Sequence, residues 1–393
     1  MPRQGTRLTI VQYAGDFREA SERLSRGGPE TYRGQRYTVE YVEKLTQRLD
    51  AVTIITGFTD EAYDVVLPSG ARAIGAGFTN GFDGQRIAQI VDSTAPDLLI
   101  LRSPIRPVLW WAVRKRCRTL VLLADSFNET SLKGRASQAI LSMFLRSRVF
   151  DWVANHGHRA AEQLVKGGVS SNKVLPWDFP AFDTPRTRAA KLQASKQPRI
   201  LYVGAMSAEK GVDDLIVAAK LLHKEVGSLQ VDLVGKLDAG RISELISKNG
   251  LTGVVNQVGP VMNSEVVPLM ARADVVVVPS RYDFPEGMPL TIYEAFCSRT
   301  PLVASDHPMF VGNVINEESG LLFKAGQADD LAAQIRRLLD NPSLYNKVSE
   351  GGLASWERLQ IPLKWADLID HWLEDSAESR SRLAAYSMAS NYR

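Results

Sequence analysis

Two glutamates eight positions apart carry the most chemistry in this chain. They lie in Asp283-Phe284-Pro285-Glu286-Gly287-Met288-Pro289-Leu290-Thr291-Ile292-Tyr293-Glu294-Ala295-Phe296. An apolar run from Ala273 to Val278, closed by Pro279-Ser280, precedes the stretch and reads as a buried parallel strand. Pro289 suits a first helical position, where its missing N–H would be unbonded anyway. Leu290, Tyr293, Phe296 and Cys297 then recur at helical spacing. The order is strand, glycine-containing loop, helix. Free N–H groups at such a helix start can receive a sugar hydroxyl or a phosphate oxygen. Glu286 falls in the loop and Glu294 in the second turn, about 7–8 Å from the helix start. One carboxylate can hold a sugar and the other a ribose across a pyrophosphate. A surface Glu beside a helix-dipole Glu gives the same spacing, but it does not call for the flanking strand, Gly and Pro.

The stretch resembles the Glu–seven residues–Glu motif of the retaining glycosyltransferases of family 4, the glycosyl transferases group 1. The Gly-Met-Pro-Leu and Tyr-Glu-Ala parts match its usual form. The resemblance implies a nucleotide-diphospho-sugar co-substrate and no further cofactor. It implies that Glu286 contacts the donor sugar and that Gly287, Met288, Pro289 and Leu290 line sugar and phosphate. Glu294 would bind the ribose.

The elements that position these residues alternate along the chain. Leu8–Val11, Val52–Ile55, Leu98–Leu101, Leu120–Ala124 and Trp152–Ala154 read as strands. The stretches containing Tyr37, Tyr41 and Leu45, then Val108–Val113, Ser137–Leu145 and Arg159–Val165 read as helices. Repeated strand–helix units imply parallel strands with right-handed crossovers, a doubly wound α/β sheet that binds ligands at the carboxyl ends of its strands. A charged loop ending in Gly27-Gly28 follows the first strand, and Asp125-Ser126-Phe127-Asn128 follows Ala124. In the resembled family a Gly-Gly loop here faces the donor phosphates, and a His or Asp lines the acceptor side. Gly27 and Gly28 are thereby donor-binding candidates and Asp125 a catalytic one, although a plain turn explains Gly-Gly and a cap explains Asp125. Gly75-Ala76-Gly77 is not a dinucleotide fingerprint, because Asn80 stands at the third glycine position. His156 and His158, two positions apart, read as cap and surface residues and not as metal ligands.

A basic, polar stretch bounded by Pro185 and Pro198 reads as a linker. Beyond it come the strand Ile200–Val203, the loop Gly204-Ala205-Met206-Ser207-Ala208-Glu209-Lys210-Gly211 and a helix from Asp213. This resembles the family's strand, Gly-Arg loop and Glu-Lys-Gly element, in which Arg and Lys neutralise the diphosphate. Gly204 and Lys210 match, but Ala205 stands where Arg is common. A growing negative charge needs a fixed cation in a dry site. Lys210 and helix N-termini must carry more of that role, or another Arg must substitute. Val261, in the loop after Val254–Val258, would meet the nucleobase. Leu302–Ser305, Gly320–Phe323 and a helix from Asp329 match the family's closing pattern. A C-terminal aromatic segment with Trp356, Trp365 and Trp372 would cross back onto the first domain, followed by a frayed polar tail after Ala377.

The resemblance thus implies a GT-B enzyme: two Rossmann-like doubly wound domains facing across a cleft that closes on the donor and excludes water. Its parts are an acceptor domain over 1–185, a linker over 186–197, a donor domain over 198–355 and a returning segment over 356–393. With 393 residues the chain is long enough for two full cores. A net charge of +3 argues against a nucleic-acid binder. Two distant cysteines make neither a disulfide framework nor a thiolate cluster, and Met1–Gly5 lacks an apolar signal core, so a cytoplasmic protein is expected. No Asp-x-Asp pair is present to hold a divalent metal. Trp110-Trp111 with Arg114, Lys115, Arg116 and Arg118 reads as one buried Trp beside a solvated basic face; the rival reading is peripheral contact with the inner face of the membrane. Sedimentation with anionic vesicles separates these, since absence of pelleting removes the membrane reading.

The expected activity is metal-independent, retaining transfer of a hexose-type sugar to a glycan or lipid-linked acceptor in cell-surface polysaccharide or glycoconjugate synthesis. Glu286, Lys210 and Asp125 would be the catalytic residues. The alternatives are a nucleotide-sugar-binding paralogue with weak or no transfer, motivated by Ala205, and a GT-B-like nucleotide-sugar epimerase.

Overall fold

The computed structural model describes residues 5–127, 132–236 and 239–390. Asn128 and Met1–Gln4, which entered the sequence reading, lie outside them. The chain divides into two compact units. One comprises Met1–Pro180 with Ile361–Arg393, the other Ala181–Gln360.

The first unit runs β1 (Arg7–Gln12), α1 (Phe17–Ser25), α2 (Gln35–Leu45), β2 (Ala51–Phe58), β3 (Ala62–Val66), β4 (Arg72–Phe78), α3 (Gly84–Thr94), β5 (Leu98–Leu101), α4 (Arg106–Lys115), β6 (Arg118–Leu123), α5 (Leu132–Leu145), β7 (Phe150–His156), α6 (His158–Lys166) and β8 (Val174–Trp177). Its strands order β3-β4-β2-β1-β5-β6-β7-β8. All pairings are parallel except β3 with β4. β5 is buried at every position, as befits a strand covered on both faces, whereas the edge strand β3 alternates. The strand order reverses at β1, which lies between β2 and β5. Gly75 lies within β4, where an added Cβ would meet the Tyr63 ring at 2.3 Å, so this glycine serves sheet packing.

The second unit runs β9 (Arg199–Val203), α7 (Val212–Val226), β10 (Gln230–Val234), α8 (Ala239–Lys248), β11 (Val255–Gly259), α9 (Asn263–Arg272), β12 (Val275–Val278), α10 (Leu290–Ser298), β13 (Leu302–Ser305), β14 (Leu321–Phe323), α11 (Ala328–Asp340) and α12 (Pro342–Leu359). The six strands order β11-β10-β9-β12-β13-β14, all parallel. Here the order reverses between β9 and β12. Two further helices, α13 (Trp365–Glu374) and α14 (Ala377–Ala385), belong to the first unit, whose core takes in the buried Trp365, Leu368, Ile369 and Trp372. The expected fold class, two Rossmann-like α/β domains, is the one found.

Several expectations need correction. The charged stretch after β1 is not a loop but the helix α1. Asp16 caps it by accepting from the Glu19 N–H, and Phe17, Ala20, Ser21 and Leu24 form its buried stripe. Residues 186–197 are not a loose linker. The Lys191 N–H donates to Ser349 at 2.8 Å and the Ser195 N–H to Asp274 at 2.7 Å, which fixes the stretch to the second unit. Trp356 lies on α12 in that unit, so the return to the first begins at Ile361 and not at 356. The tail after Ala377 is helical, capped by Ser376 and anchored by the fully buried Leu383. His156 is no surface residue. It is buried at the end of β7, stacked on Trp177 with ring centroids 4.5 Å apart and 3.0 Å from Asp178. Burial pushes the Asp178 carboxyl up, but the His156 contact outweighs it and holds the acid below its ordinary range.

Neither tryptophan of the 110–111 pair is buried. Trp110 is 60% exposed, while Trp111 is half-buried and donates to Asp92 at 2.8 Å. Lys115 pairs with the same Asp92, and Arg118 leaves the helix for β6, where it meets Asp151 and Asp375. No helix among the described residues is long and apolar enough to cross a membrane.

Candidate functional site

The strand order of the second unit builds the site. Because β9 and β12 are neighbours, the loops that follow them emerge side by side at the point where the strand order reverses. Lys210 comes from the first loop and Glu286 from the second. Lys210 Nζ lies 2.6 Å from Glu286 Oε1 and 4.0 Å from the centroid of the Phe284 ring. Ser280 Oγ donates to the same carboxylate oxygen. Glu286 is only 8% exposed, so its charge is balanced at close range by one cation in a mostly dry setting. Gly211 permits the approach of the two loops. Its φ is +73°, and a Cβ there would stand 2.0 Å from the Pro279 carbonyl oxygen.

Beyond Glu286 the backbone supplies unused donors. Pro289 is the N-cap of α10 and not its first helical residue, with φ −74° and ψ 91°. A cap without a side-chain acceptor leaves the first helical amides unsatisfied. Among the described residues, the N–H groups of Gly287, Met288, Leu290 and Thr291 meet no protein acceptor, whereas Ile292 and Tyr293 both donate to the Pro289 carbonyl. Four amide donors beside a lysine can bind a polyanion or a charged leaving group.

Glu294, 7% exposed, projects from α10 toward the start of α9 and accepts from Asn263 Nδ2 at 2.9 Å. Val261 is two residues before that Asn, which brings the expected nucleobase loop beside the expected ribose carboxylate. Gly204 donates its N–H to the Val234 carbonyl at 2.9 Å, so its contribution is close approach, with Gly235 packed against its oxygen. Tyr202 donates to the Ala205 carbonyl at 2.6 Å; burial, then the Glu286 charge, push its phenol above the ordinary range. The two arginines reaching this loop are both engaged by acids. Arg241 binds Asp213 at 2.6 Å and Arg281 binds Asp214 at 2.6 Å. They do not stand in as free cations for the arginine absent at Ala205.

The candidates from the first unit fare differently. The N–H groups of Gly27 and Gly28 donate to the carbonyls of Leu24 and Arg23, closing the end of α1. These amides are therefore occupied and do not supply the phosphate-binding donors expected of them. Asp125 is exposed in the loop after β6, its carbonyl accepting from Asn155 at 3.0 Å. Ser280, Asn263 and Phe284 carry no sequence sign of these contacts: Asn263 and Phe284 meet their candidate residues across the fold, and Ser280 meets Glu286 within its own loop.

His307 supports the Glu286 loop from beneath. Its Nε2 lies 3.1 Å from the Phe284 carbonyl oxygen, and its Nδ1 accepts from the Met309 N–H at 3.1 Å. Both bonds require the neutral ring with its proton on Nε2. Burial, working against the Glu286 charge, holds the imidazole pKa below its ordinary value. Such a group contributes stability above about pH 6.5 that is lost as pH falls, because the unfolded chain then takes up the proton more readily. The unfolding midpoint of the wild type should therefore fall more between neutral pH and about pH 5 than that of His307→Gln, which keeps a donor without titrating. Parallel pH profiles for the two proteins would refute this.

Residues 183–354 match the model of the family described as Glycosyl transferases group 1. A glycogen synthase of Mycobacterium tuberculosis is 29% identical over 203 residues, 51% of this chain and 45% of that protein. An alpha-D-kanosaminyltransferase of Streptomyces kanamyceticus is 33% identical over 156 residues, 39% of each. The matched region thus spans about half the length of these curated relatives or less. Among solved structures, a sucrose-phosphate synthase from Thermosynechococcus elongatus aligns with a TM-score of 0.67 at 18% identity, covering 95% of this chain and 98% of that one. HepE of Anabaena, in complex with UDP and glucose, aligns at 0.63 with 16% identity, covering 94% and 100%. At these identities the structural likeness concerns the fold.

Proposed function

We propose, from the match of residues 183–354 to the model of the glycosyl transferases group 1, that the protein is a retaining, family 4 glycosyltransferase using a nucleotide-diphospho-hexose. The observation that carries the proposal is the Lys210–Glu286 pair set beside the unpartnered amides at the start of α10. Lys210 and those amides stabilise the departing diphosphate. Glu286 and the Gly287–Leu290 segment fix the sugar, Glu294 grips the ribose and Val261 borders the base. The reaction needs no metal in this reading, since the lysine and the amides supply the positive charge that meets the diphosphate. The acceptor, a glycan or lipid-linked glycan of cell-surface synthesis, is held by the first unit, with Asp125 on its side. Its hydroxyl attacks the anomeric carbon on the face that the diphosphate leaves, which preserves configuration without a protein nucleophile. Peripheral bilayer contact through the exposed Trp110 belongs to the same proposal and answers to vesicle sedimentation.

The test is incubation with UDP-, GDP- and ADP-hexoses, reading nucleoside diphosphate release and the anomeric configuration of any product by NMR. Release with a retained anomer supports the proposal. Binding with neither transfer nor hydrolysis would instead establish the binding-paralogue reading, which Ala205 and the acid-engaged Arg241 and Arg281 favour. Epimerisation at C2 without transfer would establish the epimerase.

A further inference from the structure

The helices α4 and α5 of the first unit lie side by side and leave a common face uncovered. Arg106, Trp110 and Arg114 recur at four-residue spacing, which sets them along one side of α4. All three are exposed, Trp110 to 60%. On α5, Ile140 and Met143 are exposed to 42% and 70%; three positions apart, they share one side of that helix with the half-buried Phe144. Arg106 donates to Ser137 Oγ at 2.8 Å, and the Trp110 and Phe144 rings meet edge to face with centroids 6.5 Å apart. Through Phe144 the exposed apolar side chains of the two helices adjoin.

The charge around this ridge is one-sided. Segments 106–116 and 132–148 hold eight basic residues and no acidic one, in a chain whose net charge is only +3. Asp92, which faces α4 from α3, is held by Trp111 and Lys115. Among the described residues Arg106, Arg114 and Arg146 form no ion pair, in contrast to Arg7, Arg18, Arg72 and Arg118 of the same unit, each paired with an acid. An apolar ridge flanked by unneutralised arginines matches the surface of an anionic bilayer. There Trp and Met enter the boundary between headgroups and acyl chains, and arginine stems run along it with their guanidiniums at the phosphates. An apolar protein partner would not call for the charge, and an acidic one would not call for three exposed apolar side chains.

We propose that the α4–α5 face docks on an anionic phospholipid bilayer, with Trp110, Ile140 and Met143 entering it and Arg106, Arg114 and Arg146 meeting lipid phosphates. This widens the contact of Trp110 into a surface of two helices and gives the lipid a sign of charge. The docking surface stands on those helices alone. Its purpose, to hold the protein where lipid-linked acceptors are, rests on the transferase reading.

The experiment sediments the full chain, without nucleotide or sugar, with sucrose-loaded vesicles of phosphatidylcholine alone or mixed equally with phosphatidylglycerol. Binding to the mixed vesicles should be tighter by about tenfold or more and should weaken as salt is raised. Arg114→Glu should weaken it by about tenfold or more. Lys224→Glu makes the same change in net charge at an exposed position of α7 in the second unit and should leave binding as it is. Trp110→Ser combined with Met143→Ser alters no charge and should also weaken binding by about tenfold. Thermal midpoints confirm that the variants fold. No pelleting with mixed vesicles, equal pelleting with both kinds, an unchanged affinity in either face variant, or equal losses in Arg114→Glu and Lys224→Glu would overturn the proposal. Light scattering covers the rival occupant: a dimer that the Trp110 and Met143 double variant turns into a monomer would make the face an interface between two copies and overturn it. Since neither donor nor turnover enters, failure here is separable from failure of the donor site at Lys210.

Discussion

Replacing Lys210 by alanine is expected to lower kcat/KM for donor turnover by about 10²–10³-fold, the loss typical of removing one preorganised group that meets developing negative charge. Two features make the effect large. The nearby Arg241 and Arg281 are held by Asp213 and Asp214, so neither is free to substitute. The lysine is also the cation bonded to Glu286, and its loss strands a nearly buried carboxylate with Ser280 as a remaining donor. Leaving one member of such a pair unpartnered destabilises by up to about 3 kcal/mol, so a melting midpoint must accompany the rates. The double variant Lys210→Ala with Glu286→Gln separates the effects: it should recover stability and not turnover. A loss below about tenfold in a folded Lys210→Ala protein would deny the lysine its role.

The second large effect comes from a residue with no functional group. Gly211→Ala puts a Cβ 2.0 Å from the Pro279 carbonyl oxygen at a φ of +73°. The left-handed backbone alone is unfavourable by about 1–2 kcal/mol for a residue with a side chain, and the clash must add to it. The expected destabilisation is about 2–4 kcal/mol, read from the urea midpoint. The β9 and β12 loops would relieve the clash by parting, which separates Lys210 from Glu286. Nucleotide-sugar affinity should therefore fall by about tenfold at temperatures where the variant is folded. A variant as stable as the wild type would show that the loops do not need their close approach.

How much of this was legible depended on whether a signal was local. Val275–Val278, the Gly287-Met288-Pro289-Leu290 stretch and the helix after it are contiguous, and periodicity places them. Glu286 and Glu294 are thereby on the correct loop and helix. The Lys210–Glu286 contact spans 76 positions and exists because β9 and β12 are neighbours, a matter of strand order that no spacing reveals. Asn263 beside Glu294 has the same origin.

The Gly27-Gly28 reading failed differently. The residues before it carry a helical stripe, Phe17, Ala20, Ser21 and Leu24, with Asp16 capping and Glu19 three positions on. That pattern is visible in the sequence, but the charge of the segment masks it. Once α1 is a helix, the two glycines are its natural end. His156 was misplaced because its partner Asp178 lies 22 positions away, and a lone histidine gives no local sign of burial.

The central claim is that the two acidic side chains of the Glu286–Glu294 element, with Lys210 and the free amides, hold a nucleotide-diphospho-sugar. Calorimetric titration of the wild type and Glu294→Ala with UDP-, GDP- and ADP-hexoses tests it most directly. One donor class should bind the wild type saturably, and the variant should bind it about tenfold or more weakly, as expected for loss of a charge-assisted hydrogen bond to the ribose. Equal affinity in the two proteins, or no binding of any of the three donors to the wild type, would contradict the account.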